Sequence, residues 1–281
     1  MSKLYVVGTP IGNLGDFSPR GLQSLRDCDF IAAEDTRVTG KLLHRFGISK
    51  PMVSYREHNR RTCGEKIIGR LLAGETCALV TDAGMPAISD PGEDLVALCR
   101  DSGVAVESVP GPTAFATALA ISGFPSGRFT FEGFLSVNKR GRAEHLNALA
   151  NETRTMIFYE APHKLPHTLR DFALHFGERP LAIVRELTKI HEEVIRTTCN
   201  AAAGLYGAED QNATHVKGEI VLVLAGAAQA KENAVSLEDA VALAREYMKQ
   251  GMSQSEAAKC AAKETGRRRN EIYAKFVEME N

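Results

Sequence analysis

The sequence predicts a two-domain α/β protein with mainly parallel strands and a small helical extension at its carboxyl end. Short apolar runs rich in β-branched residues recur, and most are followed by a segment with helical spacing, which is typical of βαβ units. The runs are apolar at nearly every position, as expected of strands that helices cover on both faces. A length of 281 residues suits about two domains.

Five such runs in the first half are expected to form one sheet. They read LYVVG, DFIAAED, MVSYR, CALVTD and VAVESVP. Gly, Pro and Ser then cluster at residues 123–130, so we place a domain junction there. The first domain is predicted over residues 1–122.

The second half is expected to form a second, mixed sheet over residues 123–228. Its runs read FTFEGF, TMIFYEA, PLAIVREL, EEVIRTT and EIVLVLAG, and little helix separates the third from the fourth, which predicts a hairpin. A polar, linker-like stretch follows at residues 227–235. From Leu237 onward apolar residues return at helical spacing, which predicts three short helices within residues 236–281.

Composition excludes several classes of protein. The 34 basic and 35 acidic residues leave a net charge of −1, so any nucleic-acid binding must come from local basic patches. The six cysteines form no C-x-x-C pair and the histidines show no ligand spacing, so we expect neither a metal nor a redox motif. No signal peptide or membrane span is expected, and a cytoplasmic protein fits best.

Three turn-rich segments at predicted strand ends are candidates for ligand binding. VGTPIGNLGD at residues 7–16 has glycines that permit close backbone approach, but neither dinucleotide nor P-loop spacing, and a tight turn before the next helix explains it equally well. TDAGMPAISDPG at residues 81–92 offers Asp82 and Asp90 as acceptors. The alternative for its end is that Asp90 caps a helix whose first residue is Pro91.

The third turn-rich segment is VPGPTAF, at residues 109–115. Here Pro112 is expected to start a helix whose amino end favours an anionic ligand. A helix of this kind without any ligand is equally compatible with the spacing.

Three further segments place charged groups at strand ends: AEDTR, FYEAPHK and RELTKIHEE. Carboxylate, basic and imidazole groups there can position a nucleophile or accept a proton. Surface ion pairs are the ordinary alternative.

Taken in order, these six segments resemble the RsmI family within the tetrapyrrole-methylase superfamily, over roughly residues 3–226. The resemblance implies two α/β domains that clasp S-adenosylmethionine in a cleft, usually as a homodimer. It also implies methyl transfer to a cytidine ribose 2′-oxygen in the decoding region of small-subunit ribosomal RNA. A methylase of tetrapyrroles or other small molecules on the same fold, or a non-catalytic RNA-binding factor, are the alternatives.

The resemblance also implies a set of cofactor-binding residues. They are Pro10, Asp82, Gly84, Met85, Pro86, Thr113, Ala114, Glu160 and Leu187. Met85 stands where the family often has Thr, Thr113 where Ser is frequent, and Lys164 where Arg is frequent. The departure at Lys164 matters because Arg binds phosphate through two hydrogen bonds, whereas Lys binds it only as a point charge.

Two basic segments are candidates for RNA contact. KRGR is expected in a flexible loop, and GRRR is expected to open the second helix of a helix-turn-helix. Ser253 and Ser255 can cap the first helix, which the turn at Thr265 and Gly266 ends. The alternative for this tail is a dimerisation or packing appendage. The predicted RNA-binding residues are Lys139, Arg140, Arg142, Lys164, Arg267, Arg268 and Arg269.

A ribose hydroxyl is a poor nucleophile, so a base or a cation near the developing alkoxide would help its methylation. We hypothesise that one group of charged residues lines the acceptor side, with Lys189 or a carboxylate assisting deprotonation. These predicted catalytic residues are Glu34, Asp35, Arg37, Glu186 and Lys189.

Overall fold

A computed structural model describes residues 2–207, 218–228 and 236–280 of the chain. The chain divides into two compact units, of which the first, residues 1–226, contains both sheets. The second unit comprises residues 227–281. The α/β class and the helical extension predicted from the sequence are confirmed. Most of the predicted linker at residues 227–235 lies outside the described residues.

The first sheet is parallel throughout, in the order β3-β2-β4-β1-β5. Every residue of β2 and β4 is buried, which accounts for their unbroken apolar sequences. Four helices alternate with these strands. The elements are β1 (Lys3–Val7), α1 (Pro19–Asp27), β2 (Phe30–Ala33), α2 (Thr36–Arg45), β3 (Met52–Ser54), α3 (Arg60–Leu72), β4 (Cys77–Val80), α4 (Glu93–Asp101) and β5 (Ala105–Val109).

The second sheet is mixed, in the order β6-β7-β10-β8-β9. β6 and β7 run parallel, β10 is antiparallel to β7 and β8, and β8 and β9 form the predicted hairpin. The elements are α5 (Ala114–Ser122), β6 (Phe129–Phe134), α6 (Lys139–Ala148), β7 (Thr155–Glu160), α7 (Leu165–Phe176), β8 (Pro180–Arg185), β9 (Glu193–Thr198), α8 (Cys199–Tyr206) and β10 (Ile220–Leu224).

Each face of the second sheet has its own apolar core. Leu146, Leu169 and Phe172 pack from α6 and α7 against one face. Ala118 and Leu119 of α5 pack against the other, where Ile11 of the first sheet's turn joins them. Because α5 follows β5 directly in the chain, it brings the end of the first sheet onto the second.

The second unit consists of the three predicted helices, α9 (Leu237–Lys249), α10 (Gln254–Thr265) and α11 (Arg269–Glu280). Their core is built largely from alanines, completed by Ile272 and Phe276. Ser253 caps α10 in a capping box with Glu256, while Ser255 lies inside that helix. Gly266, at φ +66°, ends α10 in a left-handed conformation.

Two expectations about helix starts are wrong. KRGR opens α6 instead of lying in a flexible loop, because the Asn138 side chain accepts hydrogen bonds from the first turn of that helix. Pro112 does not start α5, which begins at Ala114 after an extended Thr113.

The capping role considered for Asp90 is also wrong. The N-cap of α4 is Gly92, at φ +143°, and α4 has no side-chain cap. Pro91 therefore precedes the helix and the Asp90 carboxylate is left for other contacts. Within the described ranges, no helix is long and apolar enough to cross a bilayer.

Candidate active site

The turns that follow β1, β4 and β5 touch one another through their backbones. Thr9 and Gly84 form an antiparallel bridge, with N–H···O distances of 2.9 and 3.2 Å. A Cβ atom on Gly8 would lie 2.7 Å from the Cα atom of Gly111, so only glycine allows this approach. The three predicted ligand turns of the first sheet thus converge at its carboxyl edge.

The second sheet contributes the turn between β8 and β9, which lies against the turn after β1. The Asn13 N–H donates to Thr188 Oγ1 at 3.0 Å. A Cβ on Gly12 would lie 2.7 Å from that same oxygen and 2.9 Å from the Leu187 carbonyl. The backbone of Gly12 and Asn13 therefore packs closely against Thr188 and the Leu187 carbonyl, which joins the two sheets at this point.

A cavity of about 340 Å³ opens between these turns, and we call it the apolar cavity. Both sheets line it, with Ile11, Met85, Leu187 and Ile220 as aliphatic walls and Tyr159 as an aromatic one. Its remaining lining residues are Ala83, Gly84, Ile88, Ser89, Asp90, Thr113, Ala114, Phe134, Glu160, Ala161, Pro162, Glu219 and Val221.

A second, larger and more open cavity of about 620 Å³ adjoins the first, and we call it the acidic cleft. Ser89 and Asp90 line both cavities. The other residues of the acidic cleft are Glu34, Asp35, Arg56, Glu57, His58, Arg60, Asp82, Ala87, Pro91, Gly92, Glu93 and Asp94.

The turn that carries Asp90 has an unusual backbone. Ala87 and Ser89 adopt positive φ angles of 65° and 63°, a conformation that non-glycine residues rarely take and that clusters at functional sites. This turn places Asp90 half-buried between the cavities. Burial, and then the charges of Glu34 and Asp82, raise the pKa of Asp90 to about 7.

The neighbouring carboxylates of the acidic cleft differ in their partners. Glu34 accepts a hydrogen bond from Asp82 N, and Asp82 accepts one from Asp35 N. Burial raises the pKa of both Glu34 and Asp82. Asp35 instead pairs with Arg37 at 2.6 Å and with Arg56 at 2.7 Å, and the hydrogen bonds from Arg37 hold its pKa far below the usual range.

Glu186 and Lys189 form an ion pair within the turn between β8 and β9. The Lys189 ammonium lies 2.9 Å from Glu186 and 3.0 Å from Glu219. Glu186 and Thr188 both have positive φ, so these contacts support a strained turn. Burial alone would lower the pKa of Lys189, but its hydrogen bonds to the two carboxylates outweigh this and raise it. Lys189 is therefore protonated.

Glu160 is a buried carboxylate in the wall of the apolar cavity, with 6% of its surface exposed. Its oxygens accept hydrogen bonds from Ala161 N and from the Thr168 hydroxyl. Thr168 in turn accepts from Arg142 at 2.7 Å, and Arg142 also binds Asp171 at 2.5 Å. A connected polar network thus fixes Glu160.

Most of the predicted cofactor-binding residues lie in the walls of the two cavities. Gly84, Met85, Thr113, Ala114, Glu160 and Leu187 line the apolar cavity, and Asp82 lines the acidic cleft. Pro10 and Pro86 are the chain neighbours of Ile11 and Met85, which line the apolar cavity.

The predicted catalytic residues lie in two separate places. Glu34 and Asp35 line the acidic cleft, with Arg37 paired to Asp35. Glu186 and Lys189 flank Leu187 and line neither cavity.

The predicted RNA-binding residues differ in exposure. Lys139, Arg140 and Lys164 are exposed, whereas the Arg142 side chain is 11% exposed and bonded to Asp171. In the second unit, Arg268 and Arg269 are exposed at the turn from α10 to α11.

The sequence indicates Asp90 only as a possible acceptor, and no sequence pattern indicates Tyr159. The sequence signal for Asp90 was the acidic residue inside a Gly- and Pro-rich segment, which a capping pattern explained as well. Tyr159 accepts a hydrogen bond from Phe115 N at 3.1 Å, at the amino end of α5. That contact joins two elements far apart in sequence, so no local pattern reveals it.

Comparison with known proteins defines the class. A sequence profile described as Tetrapyrrole (Corrin/Porphyrin) Methylases matches residues 3–203. The solved cobalt precorrin-4 methyltransferase shares the fold at a TM-score of 0.58 and 18% identity, covering 79% of this chain and 94% of that one. A uroporphyrin-III C-methyltransferase from Thermus thermophilus, complexed with S-adenosyl homocysteine, shares it at 0.56 and 16%, covering 79% and 97%. Fold and profile together define an α/β methyltransferase.

Much closer relatives narrow the assignment. Ribosomal RNA small subunit methyltransferase I of Synechocystis sp. is 45% identical over 100% of this chain and 99% of its own length. Its namesake from Xylella fastidiosa (strain Temecula1) is 46% identical over 96% and 97%. That of Thermotoga maritima is 44% identical over 226 residues, 80% of this chain but 99% of its own. The chain therefore belongs to the ribosomal RNA small subunit methyltransferase I family of tetrapyrrole methylases.

Proposed function

We propose that this protein transfers the methyl group of S-adenosylmethionine to a cytidine ribose 2′-oxygen in the decoding region of small-subunit ribosomal RNA. The observation that carries the proposal is the pair of adjoining cavities with a common wall at Ser89 and Asp90. One cavity suits a small amphipathic donor and the other an open, polar acceptor. Holding two reactants in line across such a wall is a main source of acceleration for methyl transfer.

The apolar cavity fits S-adenosylmethionine in size and chemistry. Its volume of about 340 Å³ is within the usual range for small-molecule sites. Tyr159 and the aliphatic walls suit an adenine ring, and the amino end of α5, at Ala114, suits a carboxylate. The half-buried Asp90 carboxylate suits a cation. The bound donor supplies an electrophilic methyl group on a positively charged sulfur.

The acidic cleft suits the acceptor nucleotide. Arg56 and Arg60 offer donors to a phosphate, while its carboxylates accept hydrogen bonds from hydroxyl and amino groups. Arg56 also donates to the Glu34 carbonyl at 2.8 Å and pairs with Asp35, so these contacts fix its guanidinium. We assign Glu34, Asp35 and Arg37 to the shape of this cleft.

We assign Glu186 and Lys189 to holding the turn that carries Leu187 into the apolar cavity. This assignment follows from their contacts with each other and with Glu219, and from the protonated state of Lys189. Both act as positioning residues for donor binding.

Relatives named for small-subunit ribosomal RNA support RNA as the substrate. The Thermotoga maritima relative corresponds in length to the first unit alone, so the proposal assigns the chemistry to residues 1–226. The three-helix extension then adds RNA affinity through Arg267, Arg268 and Arg269. Lys139, Arg140 and Lys164 add exposed cations on the first unit.

The decisive experiment compares ribosomal RNA from cells with and without the gene, by mapping 2′-O-methylation at nucleotide resolution. We expect one cytidine of the decoding region to lose its 2′-O-methyl group in the absence of the gene and to regain it on complementation. An unchanged map would contradict the RNA substrate. Methylation of a tetrapyrrole by the purified protein would then favour a small-molecule methylase, and no uptake of S-adenosylmethionine in calorimetry would favour a non-catalytic factor.

A cytoplasmic location and a homodimer complete the proposal. Light scattering of the purified chain tests the homodimer, since a dimer of the 30.5 kDa chain has twice that mass.

A further inference from the structure

We propose that Asp90 is the catalytic base that removes the proton from the attacking hydroxyl. This inference rests on the proposed function, because it assigns a residue to the reaction proposed above. It differs from the sequence-based hypothesis, which placed this role on Lys189 or on a carboxylate among Glu34, Asp35 and Glu186.

Position singles out Asp90. It is the one titratable side chain, within the described residues, that lines both the apolar cavity and the acidic cleft. A base for methyl transfer must reach the acceptor oxygen while that oxygen faces the methyl group, so it has to stand where the donor and acceptor spaces meet.

Asp90 is also free to accept a proton. Among the described residues its carboxylate has neither a hydrogen-bond donor nor an ion-pair partner, and it does not cap α4. Several other carboxylates nearby are engaged: Asp35 by two arginines, Glu186 by Lys189, and Glu160 by Thr168 and Ala161 N. Glu34 and Asp82 each accept one backbone hydrogen bond, from Asp82 N and from Asp35 N.

The surroundings of Asp90 tune its protonation. Glu34 faces it from the end of β2, Asp82 from the end of β4 and Tyr159 from β7. Arg56, Arg60 and His58 also line the acidic cleft, as do the carboxylates Glu57, Glu93 and Asp94. With a pKa of about 7, the group is both a competent base and largely ionised just above neutrality. A cationic donor in the adjoining cavity stabilises the ionised form further.

The step is balanced in atoms and charge. The O–H bond of the ribose breaks and its proton goes to an Asp90 carboxylate oxygen. The ribose oxygen forms the new bond to the methyl carbon, and the electron pair of the broken carbon–sulfur bond stays on sulfur. A sulfonium and a carboxylate become a neutral thioether and a carboxylic acid, so charge is lost from the half-buried site as the reaction proceeds.

The test uses the full-length protein, S-adenosylmethionine and small ribosomal subunits from cells that lack the gene. Single-turnover rates are measured against pH for the wild type, Asp90→Asn and the control Asp101→Asn, which makes the same change at the exposed end of α4. We expect the wild-type rate to rise about tenfold per pH unit at low pH and to level off below pH 7, because the bound cationic donor lowers the pKa of Asp90. Asp90→Asn should lower the rate by about 10²-fold to 10⁴-fold. Its rate should also lack the rise and plateau with pH that the wild type shows. Asp101→Asn should match the wild type.

A second readout does not depend on turnover. In wild-type protein labelled with ¹³C at the aspartate carboxyls, one resonance should titrate near pH 7 and be missing from Asp90→Asn. An active wild type whose rate and pH profile survive Asp90→Asn, or a wild type without such a resonance, would overturn the assignment. A wild type that methylates no subunit RNA would instead overturn the proposed function.

Discussion

Gly12 and Thr188 pack so closely that no side chain fits between them. A Cβ on Gly12 would lie 2.7 Å from Thr188 Oγ1, well inside normal contact, and 2.7 Å from Lys189 Cγ. The neighbouring Asn13 N–H donates to the same Thr188 oxygen. This pair joins the first sheet's ligand turn to the second sheet's, and the apolar cavity lies beside it.

Gly12→Ala should therefore push the turn at residues 186–189 outward. We expect a loss of about 1–3 kcal/mol in the free energy of unfolding, together with at least tenfold weaker binding of S-adenosylmethionine, because Leu187 moves with the turn. Thermal unfolding and titration calorimetry measure the two effects. Gly69→Ala in α3 is the control: its Cβ meets nothing within 4 Å, and the variant should be slightly stabilised. Unchanged donor binding in Gly12→Ala would argue against a shared cavity wall.

Thr168→Val should destabilise the first unit by about 1–3 kcal/mol. Valine keeps the shape but removes the hydroxyl that donates to Glu160 and accepts from Arg142, so two buried polar groups lose a partner. Because the chain has no Trp, urea unfolding is best followed by far-ultraviolet circular dichroism. Thr62→Val, on the exposed surface of α3, should change the free energy of unfolding by less than about 0.5 kcal/mol. Equal losses in the free energy of unfolding for Thr168→Val and Thr62→Val would show that the hydrogen bonds of Thr168 to Glu160 and Arg142 do not stabilise the first unit.

Asp90→Asn should make the protein more stable at neutral and alkaline pH. The folded-state pKa of Asp90, about 7, lies above its ordinary value of 3.8, so the folded protein holds an extra proton between those values. Stability contributed by the protonated group is complete below pH 4 and lost as pH rises to 7. The variant's advantage in melting temperature should thus be largest above pH 7 and vanish near pH 4. A difference in melting temperature that does not change with pH would contradict this.

Arg268→Ala and Arg269→Ala should each weaken RNA binding regardless of sequence. If each arginine contacts one phosphate, its loss should reduce the slope of log affinity against log salt by about 0.7 to 0.9. Fluorescence anisotropy with a labelled ribosomal RNA fragment at several salt concentrations gives that slope. Arg100→Ala, at the end of α4, is a matched control and should leave it unchanged. Unaltered slopes in both tail variants would favour a packing role for the extension.

Strands β2, β4 and β10 were predictable from sequence because burial on both faces leaves an unbroken apolar run, whereas exposed positions interrupt the runs of β5, β6 and β9. The hairpin of β8 and β9 followed from the short spacing between those two segments, and the three tail helices from apolar residues at helical spacing. Helix starts were harder. Pro91 and Pro112 both fit the first position of a helix, yet Gly92 and Thr113 after them have non-helical backbone angles.

The turns that form the site were predictable from sequence, but the contacts between their residues were not. Glu34 and Asp82 are 48 positions apart, and they meet because β2 and β4 are neighbours, a strand order that no local pattern encodes. For Asp90 the sequence also favoured helix capping, which the structure excludes because Gly92 is the N-cap of α4 and no side chain caps that helix. Asn138, by contrast, was a readable cap signal for the KRGR segment.

The bridge between Thr9 and Gly84 is made wholly of main-chain atoms. Its geometry is therefore indifferent to most side-chain replacements, provided that residue 84 tolerates φ +88°. The side chains that line the two cavities can therefore vary without moving the main chain that joins the turns after β1 and β4.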